Sequence, residues 1–220
     1  MMRLEAIVEE ATHGLEGIDQ EAVLKEALRN LFDGIADKDV GQALIMTTRV
    51  MIERDPSYGR VAARMLLDTL RREALTFLGT GQVTATQAEM AERYPQYFKN
   101  YICKAADLEL LDSELTRYDL DKLGAAIKPE RDQQFTYLGL QTLYDRYFIH
   151  SEGIRFELPQ AFFMRVAMGL AINEVEREQR AIEFYNLLSS FDFMSSTPTL
   201  FNSGTLRPQL SSCYLTTVPD

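Results

Sequence analysis

The chain has 220 residues, 46% of them hydrophobic and 25% charged, proportions that suit a globular protein of one or two domains with a sizeable core. Its 23 basic and 33 acidic residues give a net charge of −10, which argues against a general nucleic-acid binder, because that attraction needs clustered Lys and Arg. No apolar run approaches the ~20 residues that span a bilayer, no secretory pattern opens the chain, and two cysteines, Cys103 and Cys213, are too few for a disulfide framework or a structural zinc site. A cytoplasmic location without membrane or nucleic-acid partner is expected.

The pattern from Leu4 to about Leu78 is helical. In Val23–Phe32, Leu24, Ala27, Leu28 and Leu31 form an i, i+3, i+4, i+7 stripe that Phe32 extends. Asp33-Gly34 is expected to stop that helix, since Gly34 can take φ > 0 at no steric cost. A second helix is expected over Val40–Glu53, ending at Asp55-Pro56. A third, Ser57–Phe77, closes at Gly79-Thr80-Gly81, which is the expected domain boundary. The next helix has Thr84 or Thr86 as its candidate N-cap, and the polar stretch Asp107–Glu130 follows it. Tyr137–Tyr147 reads as helix. Phe148-Ile149-His150, Glu152-Gly153 and Ile154-Arg155-Phe156 read as strand, tight turn and strand. Pro159–Ile172 has Pro at a helix start and a dense apolar face, and Val175–Leu188 is amphipathic.

The hydroxyl-rich end, Ser195–Asp220, reads as loop and then strand. Thr197-Pro198-Thr199 and Asn202-Ser203-Gly204 could present donors to phosphate or sugar oxygens, although the same residue types dominate ordinary turns. Gln209–Thr217 alternates as a strand. Period two puts Ser211, Cys213 and Leu215 on one face and Leu210, Ser212 and Tyr214 on the other, so a ligand contact shared by Ser212 and Cys213 would use backbone groups for one of them. Taken singly, Cys213 in a strand and Cys103 on a helix read as small buried hydrophobes. His13 and His150 have no ligand-spaced neighbours and read as surface or capping residues. No Walker loop, GxGxxG, HExxH or nucleophile elbow is present, and no metal site is expected.

Read as a unit, Thr197-Pro198-Thr199, Asn202-Ser203-Gly204 and Arg207-Pro208-Gln209-Leu210-Ser211-Ser212-Cys213-Tyr214-Leu215 resemble the large, catalytic subunit of class I ribonucleotide reductase. The match is to the region where its N-terminal helical domain enters a ten-stranded α/β barrel. Pro159–Glu174 is similar to the helix before that entry, and Tyr144–Phe148 also fits. The resemblance covers roughly Phe135–Asp220 specifically and the earlier chain more weakly. It implies a mainly α fold leading into the first strand of a truncated barrel, with a helical domain at 82–194 and the barrel start at 195–220.

The resemblance also implies chemistry. Cys213 would be one of two thiols that reduce the ribose, and Thr199, Ser212 and Cys213 would contact substrate. Replacing a 2′-hydroxyl by hydrogen takes two electrons and a proton for the departing water, and a thiol pair closing to a disulfide supplies both. The pair must bring its Cα atoms within about 7 Å, which leaves Cys103 on its helix a poor candidate. The partner thiol, the radical-bearing Cys and the assisting acid are expected beyond Asp220, so the chain alone is expected to be inert. Implied partners are a ribonucleoside diphosphate, a small subunit with a radical-generating metal cofactor, thioredoxin or glutaredoxin as reductant, and a second copy forming a homodimer.

Residues 1–78 resemble the ATP-cone, the regulatory domain that receives ATP or dATP in this family, through Phe32-Asp33-Gly34-Ile35, Tyr58, Ala62-Ala63-Arg64 and Leu70-Arg71-Arg72. The hairpin and Lys-bearing segment that would start a cone are absent before Leu4. Asp37 and Glu73 stand where binding cones have a Thr and a basic residue. Carboxylates there would repel a triphosphate, so a degenerate or truncated cone without ATP binding is expected. Two alternatives are a helical interaction module whose tail after Leu188 is a mobile linker, and a nucleotide-responsive regulator without catalysis.

Overall fold

The computed structural model describes residues 2–32, 34–81 and 83–217 and is mainly helical, with one two-stranded sheet among the described residues. It divides into two units, Met1–Glu92 with Pro129–Arg146 and His150–Leu158, and Arg93–Lys128 with Tyr147–Ile149 and Pro159–Asp220. No described helix is long and apolar enough to cross a membrane.

In the first unit, α1 (Met2–Thr12), α2 (Gln20–Arg29) and α3 (Asp37–Met51) lead to α4 (Tyr58–Leu78). The last of these buries residues on all sides, among them Val61, Ala62, Met65, Leu66, Leu70 and Leu75, as a helix does at the centre of a bundle. It ends on Gly79 at φ 66°, whose N–H closes on the last-turn carbonyls, the left-handed stop its sequence foretells. Arg64 donates to the carbonyls of Ala11 (3.2 Å) and His13 (2.7 Å) and so closes the C-terminal end of α1.

The expected stripe on α2 is corrected. Val23 and Ala27 are its buried residues, Leu28 is exposed and Phe32 is 69% exposed. The helix ends early because Asn30 turns its side-chain amide back onto the Glu26 carbonyl (3.0 Å) and onto Thr47 Oγ1 (3.0 Å), which places Phe32 past the last turn. Asp33 lies outside the described residues.

The helix α7 (Tyr137–Arg146) and the hairpin β1 (His150–Ser151) and β2 (Ile154–Arg155) complete this unit. His150 pairs with Arg155 and Ser151 with Ile154. Glu152 and Gly153 both take positive φ, 51° and 82°, the geometry a two-residue hairpin turn needs to match strand twist. The Tyr144 hydroxyl donates to the Glu73 carboxylate at 2.8 and 3.1 Å, the Arg155 guanidinium covers the Tyr144 ring at 4.7 Å, and Arg155 Nε donates to the Tyr144 carbonyl (3.0 Å).

Burial raises the Glu73 carboxyl above the usual carboxylate range, against the opposing hydrogen bond from Tyr144. The folded protein thus holds this proton more tightly than the unfolded chain. The associated stability is full below about pH 4.3, the ordinary Glu value, and is lost as pH rises through the raised folded value. Tyr144→Phe removes a hydrogen bond to a carboxylate and should destabilise by about 2 kcal/mol. Glu73→Gln keeps an acceptor for Tyr144 and should flatten the pH dependence. Urea melts of both variants at pH 4.5 and 7 check the pair.

The helix α5 (Gln87–Asp107) begins in the first unit, and its part from Arg93 on contributes Tyr94, Tyr97, Phe98, Tyr101 and Ile102 to the core of the second. Thr86 is its cap and forms a reciprocal pair with Glu89, from the Thr86 N–H to Oε2 at 2.8 Å and from the Glu89 N–H to Oγ1 at 3.2 Å. The polar stretch 107–130 is not featureless. It folds as a 3₁₀ turn (Ser113–Arg117) and α6 (Leu120–Ala126), capped by Asp112 and Asp119, and a second 3₁₀ turn (Pro129–Gln134) follows in the first unit. Gly124 of α6 lies so close to Pro95 that an added Cβ would stand 3.0 Å from its Cα.

The helix α8 (Pro159–Ala171) is buried nearly throughout rather than along one face. Its polar ends are held by phenols: the Tyr118 hydroxyl donates to the Met168 carbonyl (2.7 Å), and Tyr185 donates to Gln160 Oε1 (2.9 Å). Burial pushes the Tyr118 phenol up to about 12 despite the Arg177 guanidinium beside it. Next come α9 (Arg177–Ser189) and α10 (Thr197–Asn202). Val175, expected on the α9 apolar face, is fully exposed ahead of that helix.

Two expectations at the C-terminal end are corrected. Thr197–Asn202 is a short helix rather than a loop, with Pro198 in its first turn, where a missing N–H costs nothing. Gln209–Thr217 has no strand structure. No described segment pairs with it, and a lone strand leaves its backbone groups without ladder partners. Val218, Pro219 and Asp220 lie outside the described residues.

Candidate functional site

The residues singled out from the sequence occupy α10 and the segment after it. Thr199 is half-buried, and its Oγ1 donates to the Leu210 carbonyl at 3.0 Å. Ser196 Oγ lies 3.1 Å from Thr199 Oγ1. Asn202 Nδ2 donates to the Gln209 carbonyl at 2.8 Å. The segment 209–210 is thereby tied to α10 by side chains reaching its backbone.

Ser212 and Cys213 follow within three residues of that tie. Both are exposed, and Ser212 Oγ stands 3.9 Å from Cys213 Sγ. No hydrogen bond joins either to Thr199, so the structure tethers the three through Leu210 without bringing their side chains together. Cys213 is free and exposed, which corrects its reading as a buried hydrophobe. A thiol in that position is open to a reactant or an oxidising partner. Cys103 is also exposed, on α5. His13 and His150 are exposed.

Beneath α10 lies a set of residues that sequence reading missed. Arg165 has no exposed surface. Its NH1 donates to the carbonyls of Leu200 (3.0 Å) and Ser203 (2.9 Å), with a longer contact to Phe201 (3.4 Å). Ser203 Oγ donates to the Val166 carbonyl at 2.7 Å. An added Cβ on Gly169 would lie 2.1 Å from the Gly204 nitrogen, so only glycine lets α8 meet the end of α10. Gly204 takes φ 78°, its carbonyl accepts from the Asp112 N–H at 2.9 Å, and Leu111 bridges to Thr205. Tyr147 stacks on Phe201 at 4.4 Å. The one signal in the sequence was a lone Arg inside an otherwise apolar run. Residues 200–205 are therefore anchored against the rest of their unit.

The described residues include no group of three or more His, Cys, Asp or Glu able to hold a metal ion. Of the two carboxylates expected to repel a triphosphate, Glu73 is occupied by the Tyr144 hydroxyl, and the Asp37 side chain lies outside the described residues.

A mainly helical assembly whose end carries a tethered, exposed Ser-Ser-Cys sequence defines the class: the helical portion of a thiol-bearing protein. Residues 133–208 match the family model of the ribonucleotide reductase all-alpha domain. The chain is 48% identical over 206 residues to the ribonucleoside-diphosphate reductase subunit alpha of Chlamydia trachomatis, covering 93% of this chain and 19% of that protein. It is 38% identical over 220 residues to the subunit alpha of Helicobacter pylori, covering 99% of this chain and 26% of that protein. The large chain of Schizosaccharomyces pombe is 29% identical over 220 residues, again 26% of its length. The chain belongs to the ribonucleotide reductase large-subunit family, and it spans about a fifth to a quarter of the length of these relatives.

Proposed function

We propose that this chain is the helical part of a ribonucleoside-diphosphate reductase, and that Cys213 is one of the two thiols that reduce the ribose. The observation that carries this reading is the free, exposed Cys213 at the end of a segment tethered to Thr199 through Leu210. It supports a site to which Thr199 and Cys213 both belong through one tethered segment. Reduction of the 2′-carbon consumes two electrons and two protons. The C–O bond breaks, the oxygen leaves as water, and two thiols close to one disulfide. Thr199, Ser212 and Cys213 are the proposed substrate contacts.

The second thiol and the radical-bearing Cys belong to the part of the full-length protein outside this sequence. A small subunit with a metal cofactor supplies the radical, thioredoxin or glutaredoxin restores the thiols, and two large subunits pair in the cytoplasm. The proposed divisions are 1–78 as a degenerate cone, 82–194 as the helical domain and 195–220 as the barrel start. With Glu73 taken up by Tyr144, and with Asp37 and Glu73 standing where binding cones have a Thr and a basic residue, the segment 1–78 is proposed not to hold a triphosphate. Titration of the chain with ATP and dATP tests this: no binding in the micromolar range is expected, and micromolar binding would sink the degenerate-cone reading.

A further inference from the structure

We infer that Arg165 is the positioning residue of this site: from inside α8 it fixes the end of α10, and through α10 it places Thr199 and the Cys213-bearing segment. The inference rests on the proposed substrate role of Thr199 and Cys213.

A six-residue helix cannot hold itself in water, because nucleation costs more than so few hydrogen bonds return. Its last carbonyls also lack intrahelical partners and carry the negative end of the helix dipole. In α10 those carbonyls, of Leu200, Phe201 and Ser203, are the ones the Arg165 guanidinium reaches. Arginine suits the task because a single guanidinium nitrogen, NH1, reaches all three carbonyls and the group stays charged when buried. Burying a guanidinium carries a large desolvation cost unless hydrogen bonds offset it. A hydrophobic residue would fill α8 without that cost, so the cation is best explained by what it holds. The Phe162 ring beneath it, 5.1 Å from the guanidinium carbon, fixes its direction.

The other side of α10 carries the tie onward. Thr199 and Asn202 bond the carbonyls of Leu210 and Gln209, three and four residues before Cys213. Over that span the chain reaches at most about 10 Å, at about 3.5 Å per residue, so Cys213 stays within that radius of its anchor. A shift of α10 therefore carries the Thr199 hydroxyl with it and moves the anchor of the Cys213-bearing segment. Ser203, bonded to the Val166 carbonyl, is a second and weaker link in the same clamp.

The test uses the full-length polypeptide with its small subunit and compares Arg165→Lys, Ser203→Ala and Cys213→Ser. Lysine keeps the charge but loses the planar guanidinium that places NH1 among the three carbonyls. We expect Arg165→Lys to raise KM for the ribonucleoside diphosphate about 10-fold or more, with a smaller fall in kcat, since an ångström-scale misplacement can cost up to about 100-fold. Ser203→Ala should shift KM in the same direction by less. Amide hydrogen exchange provides a readout independent of turnover: residues 199–205 should exchange faster in both variants while α4 is unchanged. Unchanged exchange, or faster exchange with unchanged KM, overturns the inference. If Arg165→Lys does not fold, Ser203→Ala decides on the same two readouts. Undiminished turnover in Cys213→Ser would remove the reading of the site itself, and the exchange data would still judge the clamp.

Discussion

Cys213→Ser in the full-length polypeptide should abolish deoxynucleotide formation with a dithiol reductant, a loss on the order of 10⁴ or more, as when one member of an interdependent catalytic set is removed. The hydroxyl has nearly the shape of the thiol but cannot join a disulfide, so the two electrons for the 2′-carbon have no source at this position. Cys213 is exposed, with Ser212 Oγ 3.9 Å from its sulfur, so the substitution should leave folding intact. An unchanged melting temperature alongside lost turnover would separate chemistry from structure. Quantifying deoxynucleotide product under excess dithiol checks the prediction, and substantial retained product would count against the assignment.

The largest stability effect is expected at Gly169. An added Cβ would lie 2.1 Å from the Gly204 nitrogen, 2.4 Å from Ser203 Oγ and 2.7 Å from the Ser203 carbonyl carbon. Two of these are backbone atoms held by neighbours: Ser203 by Arg165, and Gly204 by the Asp112 N–H. The helix α8 is packed nearly throughout and has no free side to move toward. Gly169→Ala should cost about 3 kcal/mol, the upper end of ordinary overpacking, and lower the melting temperature by about 10 °C in a chain of this size. Gly139→Ala on α7 is the control, because its Cβ would meet nothing nearer than 3.9 Å. There the substitution should be neutral or stabilise by up to about 1 kcal/mol through helix propensity.

What the sequence revealed about the fold follows the range of the forces involved. The end of α4 at Gly79 and the Glu152-Gly153 turn are set by residues a few positions apart, and local reading finds them. The N-cap of α5, left between Thr84 and Thr86, is decided by the pair that Thr86 forms with Glu89. α10 was hidden because its determinants are distant. Leu200 is buried, and the carbonyls of the last turn are held from α8, some thirty-five residues back. The alternation in Gln209–Thr217 is real, but alternation describes two faces and not a neighbour, and no described strand pairs with it. Phe32 continued the α2 stripe on paper, yet Asn30 ended the helix first.

The candidate site divides the same way. Thr199, Ser212 and Cys213 came from the order of a whole block, since each alone suits an ordinary turn or core. Geometry adds the bond from Thr199 to Leu210 and the exposure of the thiol. Arg165 was passed over inside an apolar run, although a buried cation is the unusual observation there. Gly169 left no trace, because a close approach of two backbones has no local signature.

The most direct measurement is the redox state of Cys213 after turnover. The full-length polypeptide with its small subunit is given ribonucleoside diphosphate without external reductant. The remaining free thiols are then alkylated and Cys213 is quantified by peptide mass spectrometry. If Cys213 is half of the reducing pair, it becomes protected in a disulfide in proportion to the deoxynucleotide formed, and thioredoxin or glutaredoxin releases it. Deoxynucleotide accumulating while Cys213 stays fully alkylated would contradict the assignment.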